Sequence, residues 1–254
     1  MEKNRTRDIL TFCLGIILIG CLIQVAGKAK GDPLVFPSVL AILKAFCRLI
    51  RTGHTYALIF TTLSHVFVSM LISTVIGVAI GLAEGLCDFI RQVLKPIMIF
   101  LRSIPIIVLV VIIMVLTDYS HVPYVAASLI LVPLISEASY EGCKRIDSEL
   151  IDVYRLNSNF SLRILFTVYI PLMAGYLKQA YINAVGMGMK LIITTEYLVQ
   201  TRHSLGKAIH TSGYFNEYEE IYAYALIMIF LVVILTEVPL FIMRSSMGFK
   251  NQGK

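Results

Sequence analysis

Long uncharged apolar runs constrain this sequence more than any other feature. Ile9 to Val25, Leu58 to Ala83, Ile106 to Thr117, Val122 to Ser136 and Ala223 to Thr236 contain no Asp, Glu, Lys or Arg. A helix of about 20 predominantly apolar residues crosses a bilayer, and runs of this kind cannot stay in water as a row. Charged residues make up 15% of the 254, against about 25% in an ordinary soluble chain. The expected fold class is therefore an all-α polytopic membrane protein with six transmembrane helices.

The chain divides on the same basis. Residues 1–26 are expected to form a short basic cytoplasmic N-terminus and a retained first span. The apolar run is long for a signal-peptide core, and Gln24-Val25-Ala26 is a poor cleavage site. Residues 27–55 form an outside segment. Within it Val39, Ile42, Leu43, Phe46 and Ile50 make one helical stripe, with Lys44, Arg48 and Arg51 on another face. That pattern suits a helix lying in the membrane interface or one packed on its own spans. Residues 56–243 form the core, holding a long cytoplasmic segment, 141–171, and residues 244–254 a cytoplasmic tail.

Inside the core, Leu58–Ala83 is read as the second span. Its Gly77, Gly81 and Gly85 stand four apart, a spacing that lets another helix backbone come close. His65 is read as a packed or hydrogen-bonded histidine. A short inside loop is expected over Glu84–Lys95 and a third span over Pro96–Thr117. Arg102 and Pro105 then lie within or at the edge of that span. An arginine at that depth faces protein or water, or snorkels to the headgroups. Pro171–Val199 holds the fifth span with Lys190 and Glu196 in it, six residues apart and so on different faces of a straight helix. Lys190 is either a cation near a solute path or a structural partner of another helix. Basic residues are richer on the side of the N-terminus, which places both termini in the cytoplasm.

The net charge of +6 fits basic residues flanking spans better than nucleic-acid binding. The five cysteines are scattered with no C-x-x-C spacing, so neither a disulfide framework nor a metal site is expected. No G-x-x-x-x-G-K-[S/T], H-E-x-x-H or G-x-S-x-G occurs. There is thus no phosphate cradle, and no catalytic group, metal or cofactor is expected.

The segment Asp152 to Pro171 is polar between two apolar blocks. Asp147-Ser148-Glu149 can start a helix, and Asn157, Ser158 and Asn159 make a turn. A second helix would run toward Pro171, with Leu162, Leu165, Phe166 and Tyr169 on one stripe. A hairpin of this form can offer an apolar knob, Phe160 or Leu162, to a partner's groove. It can equally be a solvated loop between spans.

The same segment resembles the cytoplasmic loop of bacterial ABC importer permeases, E-A-A, three residues, G, nine residues, I-x-L-P. Asp152, Val153 and Tyr154 fall under E-A-A, Ser158 under G, Val168 under I, Ile170 under L and Pro171 under P. Further on, Ala184, Gly186, Gly188, Glu196 and Ser204-Leu205-Gly206 fall on a stretch shared by permeases of the nitrate/sulfonate/taurine/bicarbonate group. Upstream, Thr62-Leu63-Ser64-His65-Val66 resembles T-L-x-R-V, and Pro96 with Arg102-Ser103-Ile104-Pro105 resembles P-x5-R-P-I-P. Pro37-Ser38 resembles P-S-P. Gly175, Ile182 and Met189 depart from the pattern, marking a divergent member.

The resemblance implies a permease subunit of an ATP-driven importer in a bacterial cell membrane, with a five-helix core of the type I importer kind behind one N-terminal helix. It implies ABC ATPase subunits docked on the 141–171 hairpin, an outside substrate-binding protein, and a second permease copy, expected to be identical. The solute would be small and anionic or polar, moved by alternating access past Arg102, Pro105, Lys190 and Glu196. A self-contained secondary transporter or channel, and a non-transporting membrane scaffold, are the other readings of the same residues.

Overall fold

The computed structural model describes residues 35–147 and 164–248. Ile9–Val25, and the hairpin positions Asp152, Val153, Tyr154, Ser158, Phe160 and Leu162, lie outside the described residues. Among the described residues every regular element is helical: α1 Val39–Arg51, α2 Gly53–Leu86, α3 Asp88–Ser103, α4 Ile106–Leu116, α5 Val122–Lys144, α6 Ala174–Val199, α7 Leu205–Tyr214 and α8 Tyr218–Gly248.

The centre is the parallel pair α2 and α5, with α6 against both. Val66 and Met70 of α2, Ala127, Leu131 and Ile135 of α5, and Ala184, Met189 and Ile192 of α6 bury one another. The glycine ladder has the packing role expected of it. A Cβ on Gly77 would come within 2.9 Å of Ile135 Cβ, and one on Gly85 within 2.6 Å of Cys143 Sγ. A Cβ on Gly81 would come within 2.5 Å of Ser139 Cβ and 3.0 Å of the Tyr140 nitrogen. The two backbones touch because these residues have no side chain.

By length and apolar content α2, α5 and residues 218–239 of α8 can each cross a membrane. α6 has 26 residues, about 39 Å at about 1.5 Å per residue, enough to cross by length alone. Its polar row, described below, keeps it from standing out by hydropathy.

Two expectations change. The inside loop over Glu84–Lys95 is nearly absent: α2 runs to Leu86, and after Cys87 α3 starts at Asp88. Local periodicity explains this, because α3 carries apolar and charged residues on opposite faces and is stable as an amphipathic helix. The third span is also not one rod. α3 and α4 meet at Ile104-Pro105 with a bend of 103°. Pro105 disfavours helical backbone at Ile104, whose φ and ψ are −66° and 127°. With 11 residues, α4 is about 16 Å long, so neither piece crosses alone.

α1 is packed on the protein. Its Ala45 and Leu49 are buried against Leu58, Leu205, Ala223 and Ile227, and Arg48 bonds Glu219 and Glu220 of α8, each at 3.1 Å. Val39, Leu40, Leu43 and Ile50 remain exposed. Ser38 caps its first turn by accepting from the Ala41 nitrogen at 3.2 Å.

Candidate functional site

Three sequence fragments far apart in the chain converge on one carboxylate. Glu196 of α6 is fully buried. Its Oε2 accepts from the Thr62 hydroxyl at 2.9 Å and from the Gly206 nitrogen at 3.1 Å, and its Oε1 lies 2.7 Å from His65 Nδ1. Thr62 Oγ1 in turn accepts from the Leu205 nitrogen at 3.0 Å. Ser204 caps α7 by accepting from the Lys207 nitrogen at 3.2 Å. The opening turn of α7 thus hands one backbone N–H, that of Gly206, to the carboxylate and the N–H before it to Thr62.

The turn before α7 has left-handed backbone at Gln200 and His203, both with φ of 53°. This arrangement joins α2, α6 and α7 at the end of the bundle away from Lys144 at the end of α5. Each of Thr62, His65, Glu196, Ser204 and Gly206 was legible as a motif position; that they form one joint was not. Glu196, one of the four residues read from the sequence as near a solute path, is enclosed within this joint. His65 has the hydrogen-bonded role expected of it, and His65 and Tyr124 also have ring centroids 5.9 Å apart.

A second joint holds the other end. Arg91 of α3 donates to both oxygens of Glu137 on α5, at 2.9 and 3.1 Å, and to Glu84 of α2 at 2.8 Å. Its guanidinium lies 4.0 Å from the Tyr140 ring centroid. Glu84 is fully buried, and Arg91 is its ion-pair partner at 2.8 Å. Lys144 and Asp88 add an exposed pair at 2.9 Å. No sequence motif pointed to this group, because its members are 46 and 7 residues apart along the chain and only the folding of α3 back along α5 brings them together.

Arg102 does not simply snorkel. Its Nη2 donates to the Pro133 carbonyl at 2.9 Å and reaches Glu137 Oε2 at 3.5 Å. Pro105 is exposed at the head of α4. Lys190 is exposed and lies on a face of α6 opposed to Glu196. Gln179, Asn183, Met187, Lys190 and Thr194 recur every three or four residues, and all five are exposed. Four of them, Gln179, Asn183, Lys190 and Thr194, make one polar row along α6 with Met187 set into it.

The row opens at its lower end into a cleft of about 640 Å3 between α3, α5 and α6, lined by Arg102, Glu137, Glu141, Arg145, Gln179 and Asn183 among others. A second cleft of about 580 Å3, lined by His54, Arg202, His203 and Lys207 among others, sits at the opposite end.

The end of the connection is well anchored. Val168 and Tyr169 are buried against Leu82, Cys143 and Met173, Ile170 is half-buried and Pro171 exposed. Residues Leu165–Tyr169 form a π-helical turn, not the regular helix expected, and Phe166 is exposed and off the buried stripe. Pro171 lacks the N–H that would bond four residues back, and Ile170 closes a five-residue step to the Leu165 carbonyl instead. Among the described residues no cluster could hold a metal ion.

Apolar helices of spanning length, a bent α3–α4 pair and a polar row facing outward from the bundle define a multi-pass helical membrane protein of the permease class. The sequence matches the family described as "Binding-protein-dependent transport system inner membrane component" over residues 73–245; the chain belongs to it. It is thus a transport permease component of an ABC importer and not a catalytic subunit. Its fold is similar to a chain of the MetNI methionine ABC transporter in inward-facing conformations, with TM-score 0.64 and 20% identity over 75% of this chain and 96% of that one. No match is found among curated proteins.

Proposed function

We infer that this chain is one half of the membrane pathway of an ATP-driven importer for a small solute with an anionic group, working as a pair of identical copies. The observation that carries this reading is the exposed row Gln179, Asn183, Lys190 and Thr194 on α6. A lysine at the centre of a bilayer costs about 2.5–3.5 kcal/mol even by the lenient insertion scales, and unpaired amides add to that. Such a face is stable only against water or another protein chain. A second copy related by a twofold axis would face it and enclose a wet path, in which Lys190 would attract anions.

In this reading the 145–163 connection lies in the cytoplasm, and the Asp152–Pro171 segment carries the ATPase. The cleft beside Arg202 and Lys207 faces the binding protein outside. Closure of the ATPases would move the connection, and Val168 and Tyr169, buried beneath α2 and α5, would pass that motion to the spans by alternating access. The domain limits 1–26, 27–55, 56–243 and 244–254 follow from the same orientation.

Two experiments test it. The full chain is co-purified with its candidate ATPase, as wild type and as the double variant Asp152→Lys, Leu162→Asp. Loss of the ATPase from the variant alone supports docking on the hairpin; equal recovery from both refutes it. Proteoliposomes holding the permease, the ATPase and the binding protein should accumulate an anionic solute only with ATP. Accumulation by the permease alone, without ATP, would favour a self-contained transporter. ATPase association without flux would favour a scaffold.

A further inference from the structure

One cation on α6 has no counter-charge. Lys178 is half-buried, and among the described residues it makes no hydrogen bond or ion pair. It lines a cleft of about 460 Å3 whose other walls are mostly apolar, among them Val78 of α2, Leu177 of α6 and Pro239 of α8. Thr74 and Tyr181 line this cleft and also a second one of about 430 Å3 beside Leu63, Phe67 and Leu235. The two make one groove along α2, α6 and α8. One bond ties its walls together. Pro239 has no N–H to give the Leu235 carbonyl four residues back, and the Tyr181 hydroxyl donates to that carbonyl instead, at 3.1 Å.

From Leu63 to Val78 the groove follows α2 for about 22 Å at about 1.5 Å per residue, within the ~30 Å of a bilayer's hydrocarbon core. The uncharged run of α2 ends at Ala83, little more than one turn past Val78. Lys178 therefore stands near the level where headgroups begin. The groove is also on the far side of α6 from the polar row. At about 3.6 residues per turn, Lys178, Tyr181 and Val185 fall on one stripe, and Gln179, Asn183, Lys190 and Thr194 fall nearly opposite. A second copy facing the row leaves the groove toward lipid, and Phe67 and Leu71 on its rim are exposed. That orientation rests on the paired-importer reading.

A lone ammonium beside apolar walls in a membrane is costly and needs an anion. Free phosphate would answer the charge and gain nothing from the walls. A lipid with an anionic headgroup answers both, and basic pockets between spans on the cytoplasmic side bind such headgroups. We propose that this groove holds a phospholipid with an anionic headgroup, the headgroup on Lys178 and an acyl chain lying along α2 toward Phe67.

The chain contains no tryptophan, so one introduced indole reports alone. The full chain carrying Leu71→Trp is placed in phosphatidylcholine nanodiscs with a rising fraction of lipid brominated at mid-chain, either phosphatidylglycerol or phosphatidylcholine. Bromine quenches the indole only at close range. Brominated phosphatidylglycerol should reach half-quenching at about fivefold lower mole fraction, the worth of one lysine near an anionic headgroup. Lys178→Gln should remove that difference, and Lys44→Gln, on α1, should leave it. Phe60→Trp, about 27 Å along α2 from the level of Val78, should be quenched by both lipids alike. Melting curves verify that each variant is folded.

Equal quenching of Leu71→Trp by the two lipids overturns the proposal, as does an advantage that survives Lys178→Gln. Quenching of Phe60→Trp without quenching of Leu71→Trp overturns it too, because protein, either the first span or a second copy, then covers the groove. Reversal by millimolar inorganic phosphate would make Lys178 an ion site and not a lipid site. ATP-driven uptake is a separate readout: its absence with the phosphatidylglycerol advantage intact removes the importer and leaves the lipid site, and uptake without that advantage does the reverse.

Discussion

The backbone nitrogen of Gly206 donates to the buried carboxylate of Glu196 at 3.1 Å, across a contact that has no room for a side chain. A Cβ on Gly206 would come within 2.6 Å of the Tyr197 nitrogen and 2.7 Å of the Ile193 carbonyl. Backbone atoms cannot move aside as a flexible side chain can. Gly206→Ala is therefore expected to destabilise the protein by about 1–3 kcal/mol, the usual range for overpacking. The melting temperature in detergent reads this, and an unchanged value would mean that α7 is not seated on α6 as described.

Glu196 itself is held by Thr62, His65 and the α7 backbone. Thr62→Val and Glu196→Gln should each destabilise. Their double-mutant cycle should return a coupling of about 0.5–3 kcal/mol, as expected for contacting residues in one network. Strict additivity would show that the hydroxyl and the carboxylate do not interact.

At the other end, Arg91 is the partner that keeps fully buried Glu84 paired. Arg91→Met removes it and leaves the carboxylate alone, a change of about 3–5 kcal/mol in comparable buried pairs. The double variant Arg91→Met, Glu84→Gln should recover part of that loss, because the uncompensated charge is gone. Chemical denaturation of the single and double variants measures both. A double variant less stable than Arg91→Met would contradict the pairing.

Lys190 makes the opposite prediction. It is exposed on α6, so Lys190→Gln should leave the unfolding free energy within about 0.5 kcal/mol of wild type, as surface changes do. If it attracts the solute's anionic group, initial uptake rates in the reconstituted importer should fall about tenfold, equivalent to about 1.4 kcal/mol. A large loss of stability with uptake per folded molecule unchanged would instead make it a structural partner.

Gly81 faces α5 where the two backbones are closest. Gly81→Val would drive a branched side chain into Ser139 and the Tyr140 nitrogen. The expected result is loss of the monodisperse peak in size-exclusion chromatography, since α2 and α5 form the central pair. Gly53→Ala, with nothing within 4 Å of its added carbon, is the matched control and should elute as wild type.

What was readable in advance follows from what is local. Apolar runs report spans, because a bilayer selects each segment by its own hydropathy. The four-residue glycine spacing reports a close helix contact, because periodicity along one helix is enough to show a groove. The spaced fragments around Thr62, Arg102, Pro171, Glu196 and Ser204–Gly206 were enough to indicate the family. Each is a property of neighbours along the chain.

The remainder needed the tertiary structure. Lys190 and Glu196 are six residues apart in one helix, and periodicity separates their faces. It does not say that one carboxylate is enclosed by α2 and α7 while the ammonium is left open. Nor does it say that Arg102 finds the Pro133 carbonyl, or that Arg91 bridges Glu84 and Glu137. Hydrogen bonds and ion pairs form between whatever groups packing brings within about 3 Å, and the partners in this protein lie as much as 172 residues away. Only the crossing of α2 by α6, and the fold of α3 back along α5, decided which charges were satisfied and which were left exposed.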